Sequence, residues 1–154
     1  MISIVAVGKI KEKSLANLID EYIKRISAYS KIEVIEVNDE PNDKTEAEKV
    51  LSVEGERILR QIKKDSYVIL LSLKGKQIDS IEFSKQLEKI NTYHSSHITF
   101  VIGGSLGVSS KVEERADYLL NLSKMTFPHN IARLIIAEQI YRAYKILNNE
   151  TYHK

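Results

Sequence analysis

The chain contains no cysteine. A disulfide framework and a thiolate metal site are therefore both excluded. Its four histidines are scattered, and His94 and His97 fall in a loop-like stretch without matching ligands nearby, so no metal site is expected. Charge of one sign is lacking too: 23 basic residues against 21 acidic leave a net charge of +2. That is too little to argue for a nucleic-acid partner by itself. No apolar run exceeds strand size, so no segment is expected to span a membrane. The opening residues, Met1-Ile-Ser-Ile-Val-Ala-Val7, have neither a basic region nor a cleavage site and read as a strand rather than a leader. A cytoplasmic protein is expected. Repeats, linkers and low-complexity stretches are absent as well.

What is present is ordinary for a soluble globular protein. The 154 residues are 43% hydrophobic and 29% charged, enough for a single domain, 1–154, with a proper core. Strand and helix patterns alternate. Ile2 to Val7 is apolar apart from Ser3, the mark of a strand covered on both faces. Leu15, Leu18, Ile19, Tyr22 and Ile26 recur at helical spacing between about Ser14 and Ala28. Ile32 to Val37 is a second strand. Asp43 and Glu46 form a capping-box pattern for a helix reaching about Lys63. Gly55 inside that helix costs roughly 1 kcal/mol relative to alanine, which suggests close packing against another element. Tyr67 to Leu73, His97 to Ile102 and Tyr118 to Leu122 complete five strands. Asp79 with Glu82 and Ser110 with Glu113 open the helices between them. This alternation predicts an α/β fold with a mostly parallel sheet and helices on both faces. Ligands of such sheets bind beyond the carboxyl ends of the strands, where Leu71–Gly75, Gly103–Gly107 and Leu122–His129 converge.

The last of these loops feeds a helix expected from about Asn130 to Leu147. Pro128 stands where the first turn should begin, and Thr126 is the expected N-cap. Backbone donors beside the positive end of a helix can hold a ligand, although an ordinary strand-to-helix connection has the same signature. The glycine loop supports competing chemistries. Gly103-Gly-Ser-Leu-Gly107 fits the G-x-S-x-G nucleophile elbow, with Asp117 and His129 following in the order of a serine hydrolase acting through Ser105. Against this, the chain is short for such an enzyme, and no oxyanion-type glycine motif follows the third strand. The loop fits neither the dinucleotide fingerprint nor the P-loop. A structural glycine turn explains one or two glycines better than three in five residues. Lys9, Lys11 and Lys13 cluster after the first strand and can contact phosphates at the mouth of a site, or be simply solvated.

Six ordered stretches carry a resemblance over the whole length: Val5-Ala-Val-Gly-Lys9, Val53-Glu-Gly-Glu56, Phe100-Val-Ile-Gly-Gly104 with Gly107, Leu122-Ser-Lys-Met-Thr-Phe-Pro-His129, Glu138-Gln-Ile-Tyr-Arg-Ala143, and Tyr152-His-Lys154. In these the chain resembles the small bacterial SPOUT-class methyltransferases that methylate N3 of a pseudouridine in large-subunit ribosomal RNA. The resemblance implies a C-terminal trefoil knot, an exception to the rule against knots, whose loops bind S-adenosylmethionine. The implied cofactor contacts are Leu71, Gly103, Leu122, Ser123, Lys124, Met125, Thr126 and Phe127. Leu71, Leu122 and Phe127 would form an apolar slot for adenine, with amides of 123–126 at its polar edge. The implied partners are ribosomal RNA, within the ribosome, and a second copy of the chain.

The acceptor chemistry demands a deprotonated imide N3 in line with the methyl group, so positioning dominates, and a base or a cation favouring the anion adds to it. His129, Arg133, Arg142 and His153 are the candidates, with Tyr152 beside them. Arg142 lies one turn after Glu138, so an ion pair on the helix surface is an equal reading; Arg133 can equally anchor a phosphate, and His129 can cap its helix. Tyr152, His153 and Lys154 combine a ring, an imidazole and an ammonium, suited to a base and a phosphate. A methyltransferase of transfer RNA, a non-catalytic RNA- or ribosome-binding protein and the hydrolase are the other readings.

Overall fold

The structure, a computed structural model, describes residues 1–41 and 46–154. Its elements run β1 (Ile2–Val7), α1 (Lys13–Ile26), β2 (Ile32–Val37), α2 (Ala47–Gln61), β3 (Tyr67–Lys76), α3 (Ser80–Tyr93), β4 (Ile98–Ile102), α4 (Ser110–Arg115), β5 (Tyr118–Leu120) and α5 (His129–Leu147). All five strands are parallel, in the order β2-β1-β4-β3-β5. Strand alternation splits the core into two layers. Ile2, Ile4 and Ala6 of β1 face one side, with Phe100 of β4, Leu87 of α3 and Ile136 of α5. Val5 and Val7 face the other, with Ile58 of α2 and Val112 of α4. Helices thus cover both faces, which is why β1 and β4 are buried at every position and read as unbroken apolar runs. Ser3 is tolerated because its hydroxyl donates to Glu33 Oε1 at 2.8 Å and meets His97 Nε2 at 2.8 Å.

Several boundaries differ from expectation. The N-cap of α5 is Pro128, with extended backbone (φ −54°, ψ 143°) and no side-chain cap bond; Thr126 lies two residues earlier in the loop. The proline's ring fixes a φ already suited to helix entry, and its carbonyl accepts from Ala132 N at 2.9 Å. Ser109, not Ser110, caps α4, its hydroxyl accepting from Val112 N at 3.4 Å. β3 runs three residues past Leu73 while β5 stops two short of Leu122. Asp79 does cap α3, accepting from Glu82 N at 2.7 Å. The capping role expected of Asp43 falls outside the described residues.

The overrun of β3 has a topological meaning. Leu120 pairs with both Leu71 and Lys76, and Asn121 donates its backbone N–H to Lys76 O at 3.0 Å. Residues 72–75 therefore bulge out and return to the same short strand. A Cβ on Gly75 would lie 2.5 Å from the Leu119 carbonyl, so only glycine lets the returning chain lie this close.

Candidate functional site

Beyond the carboxyl ends of β3, β4 and β5 lies a cleft of about 820 Å³, within the range of roughly 300–1,000 Å³ typical of ligand pockets. Three loops wall it: Leu71–Lys74, Gly103–Val108, and Leu122–His129 without Lys124. The expected convergence is therefore observed. Leu71, Gly103, Leu122, Ser123, Met125, Thr126 and Phe127 all line the cleft. Lys124 does not, although it is exposed. Leu73, Leu106 and Met125, at 60%, 41% and 75% exposure, put large apolar side chains at one mouth, a cluster that marks a ligand or partner surface.

The glycine loop is a tight turn. Gly104 and Gly107 form an isolated bridge, with Gly107 N donating to Gly104 O at 3.1 Å, and Gly107 has φ +88°. A Cβ on Gly103 would meet Gly107 O and Val108 Cγ1 at 2.7 Å each. A branched side chain at 103 would thus deform the turn itself rather than only reach into the cleft. The 122–129 loop is held from its root: Asn121 Oδ1 accepts from Ser123 N at 3.0 Å, its amide reaches Leu73 O at 3.4 Å, and Ser123 Oγ accepts from Met125 N at 3.0 Å. Such side-chain turns fix loop backbone without occupying the cleft.

The five candidate catalytic residues fall in three places. His129 lines the cleft, facing Gly8 at the end of β1. Arg133, one turn on, is buried: its guanidinium donates to Glu36 Oε2 at 2.6 Å and to Gly8 O at 3.0 Å, while Nε has no partner among the described residues. It ties α5 to β1 and β2 and does not reach the cleft. Arg142 lies thirteen residues beyond His129 on α5, about 20 Å along the axis. There it pairs with Glu138, meets His153 Nδ1 at 3.1 Å, and lies over the Tyr152 ring at 4.8 Å. Tyr152 also donates to Glu138 Oε1 at 3.2 Å and packs edge-on against Tyr141. The hydrogen bond and charge of Glu138 hold the Arg142 pKa above its ordinary value. Burial first, then a hydrogen bond with Tyr22 and the Glu138 charge, raise that of Tyr152. Arg142 is thus a permanent cation and Tyr152 a neutral donor. A smaller cavity of about 420 Å³ lies between α3 and α5, with His153 in its lining. Its wall includes Leu120, Asn121 and Leu122, whose other side faces the larger cleft.

Over residues 1–153 the chain matches the family described as "Predicted SPOUT methyltransferase". The chain belongs to this family. Among its relatives, "Ribosomal RNA large subunit methyltransferase H" of Exiguobacterium sp. (strain ATCC BAA-1283 / AT1b) is 54% identical over 157 residues, covering 99% of each chain. The protein of the same name from Carboxydothermus hydrogenoformans is also 54% identical, with the same coverage. A solved structure of a "probable methylase family protein" from Haemophilus influenzae Rd KW20 superposes with TM-score 0.55 at 18% identity, covering 99% of this chain and 70% of the other; it shares the fold.

As a SPOUT methyltransferase the chain has no need of the hydrolase elbow, and the structure does not build one. Ser105 sits in the exposed turn, five residues before α4 starts at Ser110. Asp117 accepts from Val68 N at 2.8 Å and pairs with Arg115 at the amino end of β5, the opposite end of the sheet from His129. Two residues escaped the sequence reading. Asn121 builds the root of the 122–129 loop; an Asn two residues before Ser123 at a strand end carries that signal. Glu54, buried behind Gly104, sits in a stretch that carried resemblance and no assigned chemistry.

Proposed function

We propose that this SPOUT methyltransferase transfers a methyl group from S-adenosylmethionine to N3 of a pseudouridine in large-subunit ribosomal RNA, on the ribosome, in the cytoplasm. The observation that carries the reading is the convergence of three separate loops on one cleft at the strand ends. Two relatives at 54% identity whose names specify the large ribosomal RNA support the substrate class. The donor fits the residues present: the Gly103–Gly104 backbone lines the cleft in a tight turn packed from behind by Val108 and Glu54, Leu71, Leu122 and Phe127 offer apolar area, and loop amides offer a polar edge. When bound, its sulfonium supplies an electrophilic methyl group and departs as a neutral thioether. The loops orient it, His129 receives the imide proton, and the Arg142 cation, with the Nε2–H of a His153 whose Nδ1 accepts from Arg142, favours the imide anion. Lys9, Lys11 and Lys13, exposed after β1 and without an ion-pair partner among the described residues, would meet RNA phosphates. The C-terminal trefoil knot belongs to the same reading through the family match.

The active form in this reading is a homodimer. Ile136, Ile140, Tyr141 and, against Tyr29, Tyr144 of α5 pack within the chain, while Ile131, Leu134 and Ile135 on the other side of the helix are half-buried in one chain. An isologous pairing through this face would bring the Arg142 end of one α5 toward the His129 end of the other. Sedimentation at micromolar concentration should give a dimer; a monomer removes that part of the reading. The decisive test of function combines calorimetric titration of S-adenosylmethionine with mass spectrometry of ribosomal RNA from cells lacking the protein. Missing methylation of one pseudouridine, restored by the purified protein on ribosomes, is the expected result. Methylation restored on transfer RNA instead would overturn it.

A further inference from the structure

Among the described residues, the lining of the pocket that would take a cationic sulfonium has no free anion. Its charged lining residues are Lys74 and Glu113, paired with each other at 3.2 Å, and His129 is the one imidazole beside them. One residue layer behind it lies Glu54 of α2, 5% exposed. Its carboxylate packs on Gly104: a Cβ there would lie 3.1 Å from Oε1 and 3.2 Å from Val7 Cγ1. Oε2 accepts the backbone N–H of Glu40 at 2.9 Å. The adjacent guanidinium, Arg57, is taken by Glu40 at 2.9 Å and by carbonyls of Asn38 and Asp39. No ion pair engages Glu54 among the described residues. The next residue, Gly55, packs against Ser109, the cap of α4, leaving no room for a Cβ. Glu54 and Gly55 therefore hold the glycine loop at both ends, Gly104 and Ser109.

We propose that Glu54 is a positioning residue of the cofactor site: it sets the Gly103–Gly107 turn from behind and places beneath it a negative charge that distinguishes the cationic methyl donor from its neutral demethylated product. The inference rests on the S-adenosylmethionine reading above. A charge in a buried, water-poor position acts through a single glycine with little screening, whereas a purely steric prop would serve donor and product alike.

The test is calorimetric titration of S-adenosylmethionine and S-adenosylhomocysteine into the full-length protein and its Glu54→Gln variant. The amide keeps size and shape and removes the charge. Donor affinity should fall about tenfold more than product affinity, the size expected of one unit charge several ångström away and partly screened. An equal loss for both ligands reduces Glu54 to a structural prop, and no loss for either removes it from the site; both overturn the proposal. Glu54→Asp keeps the charge but draws it back, and it stands in if the amide variant does not fold. It should shift the same ratio in the same direction by a smaller factor, and an unchanged ratio overturns the proposal equally. A wild-type protein that binds neither ligand would instead refute the functional reading itself.

Discussion

At its amino end α5 presents His129 to an open cleft whose walls are glycine backbone, apolar side chains and loop amides. At its carboxyl end the same helix carries Arg142 enclosed by Glu138, Tyr152 and His153. The amino end leaves its polar groups to a ligand; the carboxyl end spends them on one another. The first arrangement suits binding and the second suits presenting a fixed cation and a neutral phenol. Neither end alone joins a methyl donor to an acceptor. The tail is no frayed terminus either. Asn149 (φ 55°) turns it back, Glu150 is held by Lys145 at 2.9 Å and Tyr29 at 2.7 Å, and Tyr152 packs on Tyr141.

The strongest way to break this division is to remove the tail. Deleting residues 152–154 should lower methyl transfer by about a hundredfold or more, the scale of losing acid–base or positioning groups, while S-adenosylmethionine affinity stays within a few-fold. Full activity in the deletion would end the assignment. Mixing it with folded Gly103→Val chains then asks which subunit uses the tail. In a trans arrangement, one site of the heterodimer has both an intact loop and an intact tail, and activity partly returns. No recovery despite proven subunit exchange means the tail serves its own chain, through the wall at 120–122 that both cavities share.

Between the two ends lies Arg133, expected as a catalytic candidate and found as a buried tie. Its side chain is 3% exposed, whereas that of Glu36 is 37% exposed. Removing the cation leaves a carboxylate that water can still reach, so the loss should be less than for a fully buried pair: Arg133→Met should cost about 2 kcal/mol, lowering Tm by about 4–8 °C. Donor affinity should change little. A variant with unchanged Tm and abolished methyl transfer would move Arg133 into the chemistry and blur the contrast between the ends.

The layering, the mostly parallel sheet and the edge where the three loops meet were legible because they follow from periodicity and from the alternation of strand and helix; the strand order β2-β1-β4-β3-β5 was not. Every element expected from the sequence is present, and the close packing inferred at Gly55 is met by Ser109. The loop residues of the cleft were legible for a related reason: strand ends in a parallel sheet share one edge, so their loops meet. Side-chain partners were not legible. That Arg133 turns inward to Glu36, ninety-seven residues away, or that Glu54 lies under Gly104, depends on helix rotation and on which loop crosses which, and local patterns do not encode either. The cap of α5 failed on a smaller point, since Thr126 has the right chemistry but stands ahead of a proline that fixes the entry itself.

The smallest expected effect lies at the far end of the sheet and separates stability from chemistry. His97, 7% exposed, sits beside Ser3, whose one proton goes to Glu33; its Nε2 therefore donates to the Ser3 oxygen. Burial first, then the positive charges of Lys63 and the chain's amino terminus, lower its pKa, while Glu33 and Asp65 oppose them. A lowered pKa means the folded chain binds this proton less readily than the unfolded one, whose histidine titrates near 6.5. The contribution of the neutral imidazole is then complete above about pH 6.5 and is lost as pH falls from there through the folded value. The slope from one proton is at most about 1.4 kcal/mol per pH unit. Thermal melts from pH 7.5 to 5 should therefore show a shallower decline in His97→Gln than in the parent chain. Because His97 points to the face of the sheet opposite α5 and lines neither cavity, the pH profile of methyl transfer at fixed temperature should be the same for the two. Parallel melting curves would show that His97 takes up its proton as readily folded as unfolded, and a shifted rate profile would tie this end of the sheet to the site.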